Sequence, residues 1–123
     1  MRSLRRWALL ATLALYAAGG AGCVIETSCT TQYVYGVNVT VRDARDGRVV
    51  TDATVRIVDG AYEETLTQVA LQGSYAGAGE RGGTYTLTVT APGFQPAAPR
   101  TLVVTEDECH VRGVSVTVDL TPL

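Results

Sequence analysis

Beyond residue 34 the chain alternates apolar and polar side chains almost without interruption. Val37, Val39 and Val41 alternate with Asn38, Thr40 and Arg42. Successive side chains of a strand point to opposite faces, so this period of two predicts a strand with one buried face. Asp46-Gly47 marks the turn that follows. Ala53, Val55 and Ile57 then alternate with Thr54, Arg56 and Val58, a second strand, and Asp59-Gly60 is the next turn signal. Residues 62–71 (YEETLTQVAL) carry a mixed signal. Glu63, Glu64, Leu66 and Leu71 would suit a short helix, while Thr65, Thr67 and Val69 favour a strand. The neighbouring strands and the terminating Gly73 make this segment a single third strand. Ser74 to Ala78 reads as a fourth.

Gly82-Gly83 turns the chain into its clearest element. Tyr85, Leu87 and Val89 alternate with four threonines at 84, 86, 88 and 90. Large apolar groups lie on one face and β-branched polar groups on the other. Ala91-Pro92-Gly93 ends this strand. Pro96 and Pro99 keep residues 92–100 irregular, because proline cannot donate to a ladder. Leu102 and Val104 mark a sixth strand. Val114, Val116, Val118 and Leu120 alternate with Ser115, Thr117 and Asp119 to form the last. Seven short strands in about 90 residues, with frequent turns and no amphipathic helix, predict an all-β Greek-key sandwich.

The first 22 residues follow a different rule. Arg2, Arg5 and Arg6 form a basic start, and Trp7 to Ala18 is an uncharged run of twelve residues. A membrane-spanning helix needs about 20, whereas a secretory signal needs only a short apolar stretch followed by small residues. Gly19-Gly20-Ala21-Gly22 supplies those small residues. Residues 1–22 therefore read as a signal peptide, 23–33 as a tether or leader, and 34–123 as the sandwich domain. Gly20-Ala21-Gly22-Cys23 also resembles a bacterial lipobox, whose cysteine takes a diacylglyceryl group. It departs from that pattern at Gly20, where an aliphatic residue is usual.

Cysteine number bears on the same question. The chain has three cysteines, Cys23, Cys29 and Cys109. An odd count in an exported protein leaves one over. If Cys23 is lipidated, Cys29 and Cys109 remain as a disulfide pair suited to an oxidising exterior. Otherwise Cys23 is a free or intermolecular thiol.

Charge narrows the partners. Three of the ten arginines precede residue 22, so the remainder carries seven against twelve acids, a formal charge of −5. That balance argues against nucleic acid and against an electrostatic hold on anionic lipid.

Two stretches in order carry a family resemblance. The first is Val39-x-Val41, Asp46-Gly47, Val50 and Ala53-x-Val55. The second is Gly83-x-Tyr85-x-Leu87-x-Val89-x-Ala91-Pro92-Gly93-Phe94. Together they resemble the carboxypeptidase regulatory-like domain, over roughly residues 34–120. The resemblance implies a transthyretin-like seven-stranded sandwich and a non-catalytic module of an exported protein. It gives Tyr85, Leu87 and Val89 to the core and makes Phe94 a plug at one end.

Candidate chemistry is sparse. His110 is the single histidine, next to Cys109 and after Glu106-Asp107-Glu108. Zinc wants three or four ligands and calcium several converging oxygens, while consecutive acids in an extended segment diverge. This segment reads as a solvated acidic turn, and no metal or other cofactor is expected. Asp43 with Asp46, and Asp59 with Glu63 and Glu64, read as turn and edge residues. Ser28, Ser74 and Ser115 lack a nucleophile-elbow frame. Gly77-x-Gly79-x-x-Gly82 precedes a strand rather than a helix and so fails as a phosphate loop. Tyr33, Tyr35, Tyr62 and Tyr75 would make a carbohydrate or peptide platform if they shared an exposed face.

These observations lead to the expectation of a protein that is not an enzyme. It would be exported to the cell envelope, anchored to the outer membrane by lipid at Cys23, and act by binding an envelope protein or glycan or by structural support. The alternative is a secreted carbohydrate- or protein-binding module, an enzyme inhibitor included, with no lipid anchor. As an enzyme the chain would need a site that joins His110 to acids distant in sequence.

Overall fold

Val37, Val39 and Val41 turn inward together, and the strand that carries them lies inside one of two packed sheets. The computed structural model describes residues 28–69 and 73–123. The expected signal peptide, Cys23 and the leader as far as residue 27 lie outside the described residues, as do residues 70–72. In chain order the elements are β1 (Tyr35–Asp43), β2 (Thr54–Asp59), β3 (Tyr62–Thr65), β4 (Thr67–Gln68), β5 (Ser74–Gly79), β6 (Gly83–Thr90), β7 (Arg100–Val104) and β8 (Val114–Leu120). One sheet has the order β4-β5-β1-β8 and the other β3-β2-β6-β7. Hairpin connections alternate with crossings from sheet to sheet. The pairings are antiparallel except that of β1 with β8, which is parallel and sets Val37 opposite Val114 and Asp43 opposite Leu120.

The core follows the alternation. Val37, Val39, Val41, Val55, Ile57, Tyr85, Leu87, Val89 and Leu120 are its fully buried large side chains. Each contributes about 1.5–3 kcal/mol through removal of apolar surface from water. Asp43 is the one buried charged residue among the described residues, 6% exposed, and the Arg45 side chain covers its carboxylate. Residues 92–99 are irregular, as the prolines require, and β7 begins at Arg100, one residue inside the stretch expected to be irregular. Phe94 is partly buried against the core and bridges Pro122.

The strand count is eight, which corrects the expected seven. The expected third strand divides at Leu66. Thr65 pairs with Arg56 in one sheet and Thr67 with Ala76 in the other. Between them Leu66, 4% exposed, enters the core, and its N–H donates to the Val55 carbonyl at 2.8 Å. Alternation reports which side of a strand faces the core. It carries no information on which sheet the strand joins, so the change of partner at Leu66 is silent in the pattern.

Candidate functional site

The chain enters the sandwich through a clasp that gathers three segments distant in sequence. Cys29 and Cys109 form a disulfide across 80 residues, with their Cα atoms 5.2 Å apart. This is a normal span for a bridged pair. Beside it, His110 Nδ1 donates to Glu80 Oε2 at 2.8 Å. A carboxylate only accepts, so a neutral His110 carries its proton on Nδ1 and turns Nε2 to Thr30 Oγ1, 3.1 Å away. Glu80 also holds the leader twice. Its Oε2 accepts the Val34 N–H at 2.9 Å, and its own N–H donates to the Val34 carbonyl at 2.9 Å. The Val34 amide, and after it His110, hold the Glu80 carboxyl below the usual carboxylate range.

The backbone around Glu80 is strained to suit. Ala78 (φ 53°) and Glu80 (φ 49°) lie in the left-handed region that L side chains avoid. Each such residue costs on the order of 1 kcal/mol and persists only where its surroundings hold it. The paired contacts with Val34 and the hydrogen bond from His110 do so at Glu80. At Ala78, the N–H donates to Glu64 Oε1 at 2.9 Å.

The acidic loop completes the clasp as structure. Asp107 Oδ1 accepts the N–H groups of Cys109 (2.8 Å) and His110 (2.9 Å), which turns the loop and lowers the Asp107 pKa. Among the described residues, no three or more His, Cys, Asp or Glu side chains gather as a metal site. Acids elsewhere hold turns and strand pairs. Asp46 accepts the Arg48 N–H, and Glu63 pairs with Arg56. Asp59 accepts from Arg81, whose guanidinium also donates to the Tyr85 hydroxyl and lies 3.8 Å from the Tyr62 ring centroid. Tyr62 donates to Glu64 at 2.5 Å, and that contact, with burial, pushes its pKa up to about 12.

A four-tyrosine platform does not form, and the physical reason is burial. Tyr75 lies in the core, where its hydroxyl accepts the Ala53 N–H and donates to the Val50 carbonyl. Tyr62 packs edge-on to Tyr85 beneath Arg81. Tyr33 (62% exposed) and Tyr35 (40% exposed) remain at the surface as an edge-to-face pair, with centroids 5.3 Å apart.

The clasp does join His110 to a distant carboxylate. Thr30, His110 and Glu80 run in the order hydroxyl, imidazole, carboxylate, the order of an acyl-transfer relay. Such chemistry also requires donors aimed at a developing oxyanion. The hollow beside His110 is lined instead by Asp107, Glu108 and Cys109. Thr30, Val34 and Glu80 were not apparent as a group from the sequence. The one hint was an opposite-charge pair, Glu80-Arg81, set inside a glycine-rich turn.

Two four-stranded sheets over one apolar core, closed by a disulfide at the chain's entry, define an all-β sandwich module. The sequence model of the carboxypeptidase regulatory-like domain matches residues 36–121, and the chain belongs to that family. A comparison with curated proteins found no match.

Proposed function

We propose that this chain is a non-catalytic, exported β-sandwich module, anchored in the outer membrane by lipid at Cys23, that acts by binding or structural support at the cell envelope. The observation that carries this reading is the clasp. The segment that would link Cys23 to the sandwich is bonded to it at Cys29, Thr30 and Val34. A chain reaches at most about 3.5 Å per residue. Six residues separate Cys23 from Cys29, so the disulfide keeps the domain within about 20 Å of a lipid on Cys23. Two acyl chains make such an anchor stable where one would not.

The test is the intact mass and location of the mature full chain. A mass for a chain beginning at diacylglyceryl-Cys23, found in the membrane fraction and lost from it in Cys23→Ala, supports the reading. An unlipidated mature chain in the soluble fraction replaces it with the secreted binding module. The catalytic alternative is tested with p-nitrophenyl acetate. Hydrolysis above background that disappears in both Thr30→Ala and His110→Ala would make the clasp an active site.

A further inference from the structure

We propose that the free edge of β8 receives an extended peptide segment bearing a carboxylate, which joins the sheet as an added strand and pairs with Arg100. This rests on the reading of the domain as a binding module and names the chemistry of its partner.

The direction of the backbone groups of β8 follows from its contacts. In a strand the N–H and C=O of alternate residues point to the same side. The Leu120 carbonyl accepts the Ala44 N–H on the β1 side, whereas the Thr117 carbonyl accepts Arg100 Nη1 (3.0 Å) on the other. Ser115, Thr117 and Asp119 therefore present their backbone groups to the open edge. Beyond Asp119 the edge is closed, because Gln95 N–H donates to the Thr121 carbonyl and Leu123 N–H to the Gly93 carbonyl. The length not closed by backbone is Ser115 to Asp119, where the Arg100 guanidinium rests on the Thr117 carbonyl and an incoming strand would displace it onto its own carboxylate.

This edge lacks the usual protection. Native edges are blunted by charge, proline, bulges or shortness. β4 is two residues long, β3 carries Glu63 and Glu64, and β7 follows Pro99 directly. β8 has Val-Ser-Val-Thr-Val before its single charge, Asp119. Val114 and Val116 are only partly buried there. An added strand would complete their cover.

Charge selects the occupant. Gln95, Pro96, Ala97, Arg100, Thr117 and Asp119 line a groove of about 390 Å³ at this edge. Among the described residues Arg100 has no carboxylate within ion-pair distance. Asp119 also lines the groove, opposite Arg42 in the β1–β8 register, and is ion-paired to neither Arg42 nor Arg100 among the described residues; Arg100 is the groove's cation. A carboxylate on the incoming strand matches it. A second copy of this chain fits less well, since each copy carries a charge of −5 beyond residue 22 and a 93–95 segment on the same edge.

The test uses the full chain, purified in detergent, and a fluorescein-labelled, amide-capped pentapeptide of alternating valine and threonine ending in aspartate. An otherwise identical peptide ending in asparagine is the control. The expected result is saturable binding of the aspartate peptide, with hydrogen-exchange protection gained over residues 114–120. Arg100→Ala should weaken the aspartate peptide by about tenfold, the size of one charge-assisted hydrogen bond, and leave the asparagine peptide unchanged. Thr117→Pro removes an outward amide and should abolish binding of both. Absence of saturable binding, equal binding by Arg100→Ala, or protection confined to another segment overturns the proposal. A concentration-dependent dimer that Thr117→Pro dissolves overturns it in favour of self-pairing. None of these outcomes changes the membrane fractionation of the Cys23 variant, so failure here is distinct from failure of the tethered-module reading.

Discussion

Asp43, Glu80 and Asp107 are three carboxylates made more acidic by different donors. The Arg45 side chain acts on Asp43, the Val34 amide on Glu80, and the His110 and Cys109 amides on Asp107. A carboxylate whose folded pKa lies below its unfolded value stabilises the fold at pH above that unfolded value. The contribution is lost as pH falls through the folded pKa. The denaturant midpoint should therefore be level near neutrality and fall below about pH 4. Asp43→Asn should lower the midpoint at pH 7 and flatten the acid fall. A midpoint indifferent to pH between 7 and 3 would show these contacts to be inert. Tyr62 has the opposite sign. Its raised pKa means that its contact with Glu64 stabilises below about pH 10 and is lost as pH climbs towards 12. An ultraviolet titration should show one late-ionising phenol fewer in Tyr62→Phe. At this scale the sequence was legible only where the side chain's own chemistry decides. Its tyrosines were visible as amphipathic groups, but whether a hydroxyl faces solvent or the Val50 carbonyl depends on neighbours 25 residues away.

The elements divide between those the pattern reveals and those it conceals. β6 and β8 are read directly, because strict alternation with valine, leucine and threonine admits no other burial. β3 and β4 are not, since the chain changes sheets at Leu66 without breaking the alternation. Leu66→Ala opens a cavity at that corner and should cost about 2–4 kcal/mol by equilibrium denaturation. A cost under about 1 kcal/mol would mean the corner collapses onto the gap. Gly73 is a second hidden constraint. It holds φ +67°, and a Cβ there would lie 2.9 Å from Val49 Cβ. Gly73→Ala should destabilise by about 1–3 kcal/mol, read from the same denaturation curve.

At the scale of the whole molecule the disulfide governs both stability and reach. Closing a loop of 80 residues removes unfolded-state entropy worth about 4–5 kcal/mol. The Cys29→Ser, Cys109→Ser double variant should lose much of that in the denaturant midpoint, and added reductant should reproduce the loss in the unmodified chain. A midpoint unmoved by either would mean that the strand pairing already restricts the same ends. Reduction leaves the leader held at Val34 by Glu80, so the reach from a lipid on Cys23 should grow from six residues to eleven, about 40 Å. Glu80→Gln should weaken the clasp without cutting the disulfide, seen as faster amide exchange at Val34.

Family, strand character and core were legible in the sequence because each rests on local rules. A period of two sorts residues between faces, glycine and proline punctuate turns, and three cysteines limit their own pairing. Residues 83–94 display all but the last of these in one stretch. The clasp, the corner at Leu66 and the open edge of β8 were decided by tertiary structure alone. Each depends on which segments meet: Glu80 with His110 across 30 residues, Thr30 with His110 across 80, and Arg100 with a carbonyl of another sheet across 17. Alternation along a strand is a property of one segment, whereas a partner is a property of two.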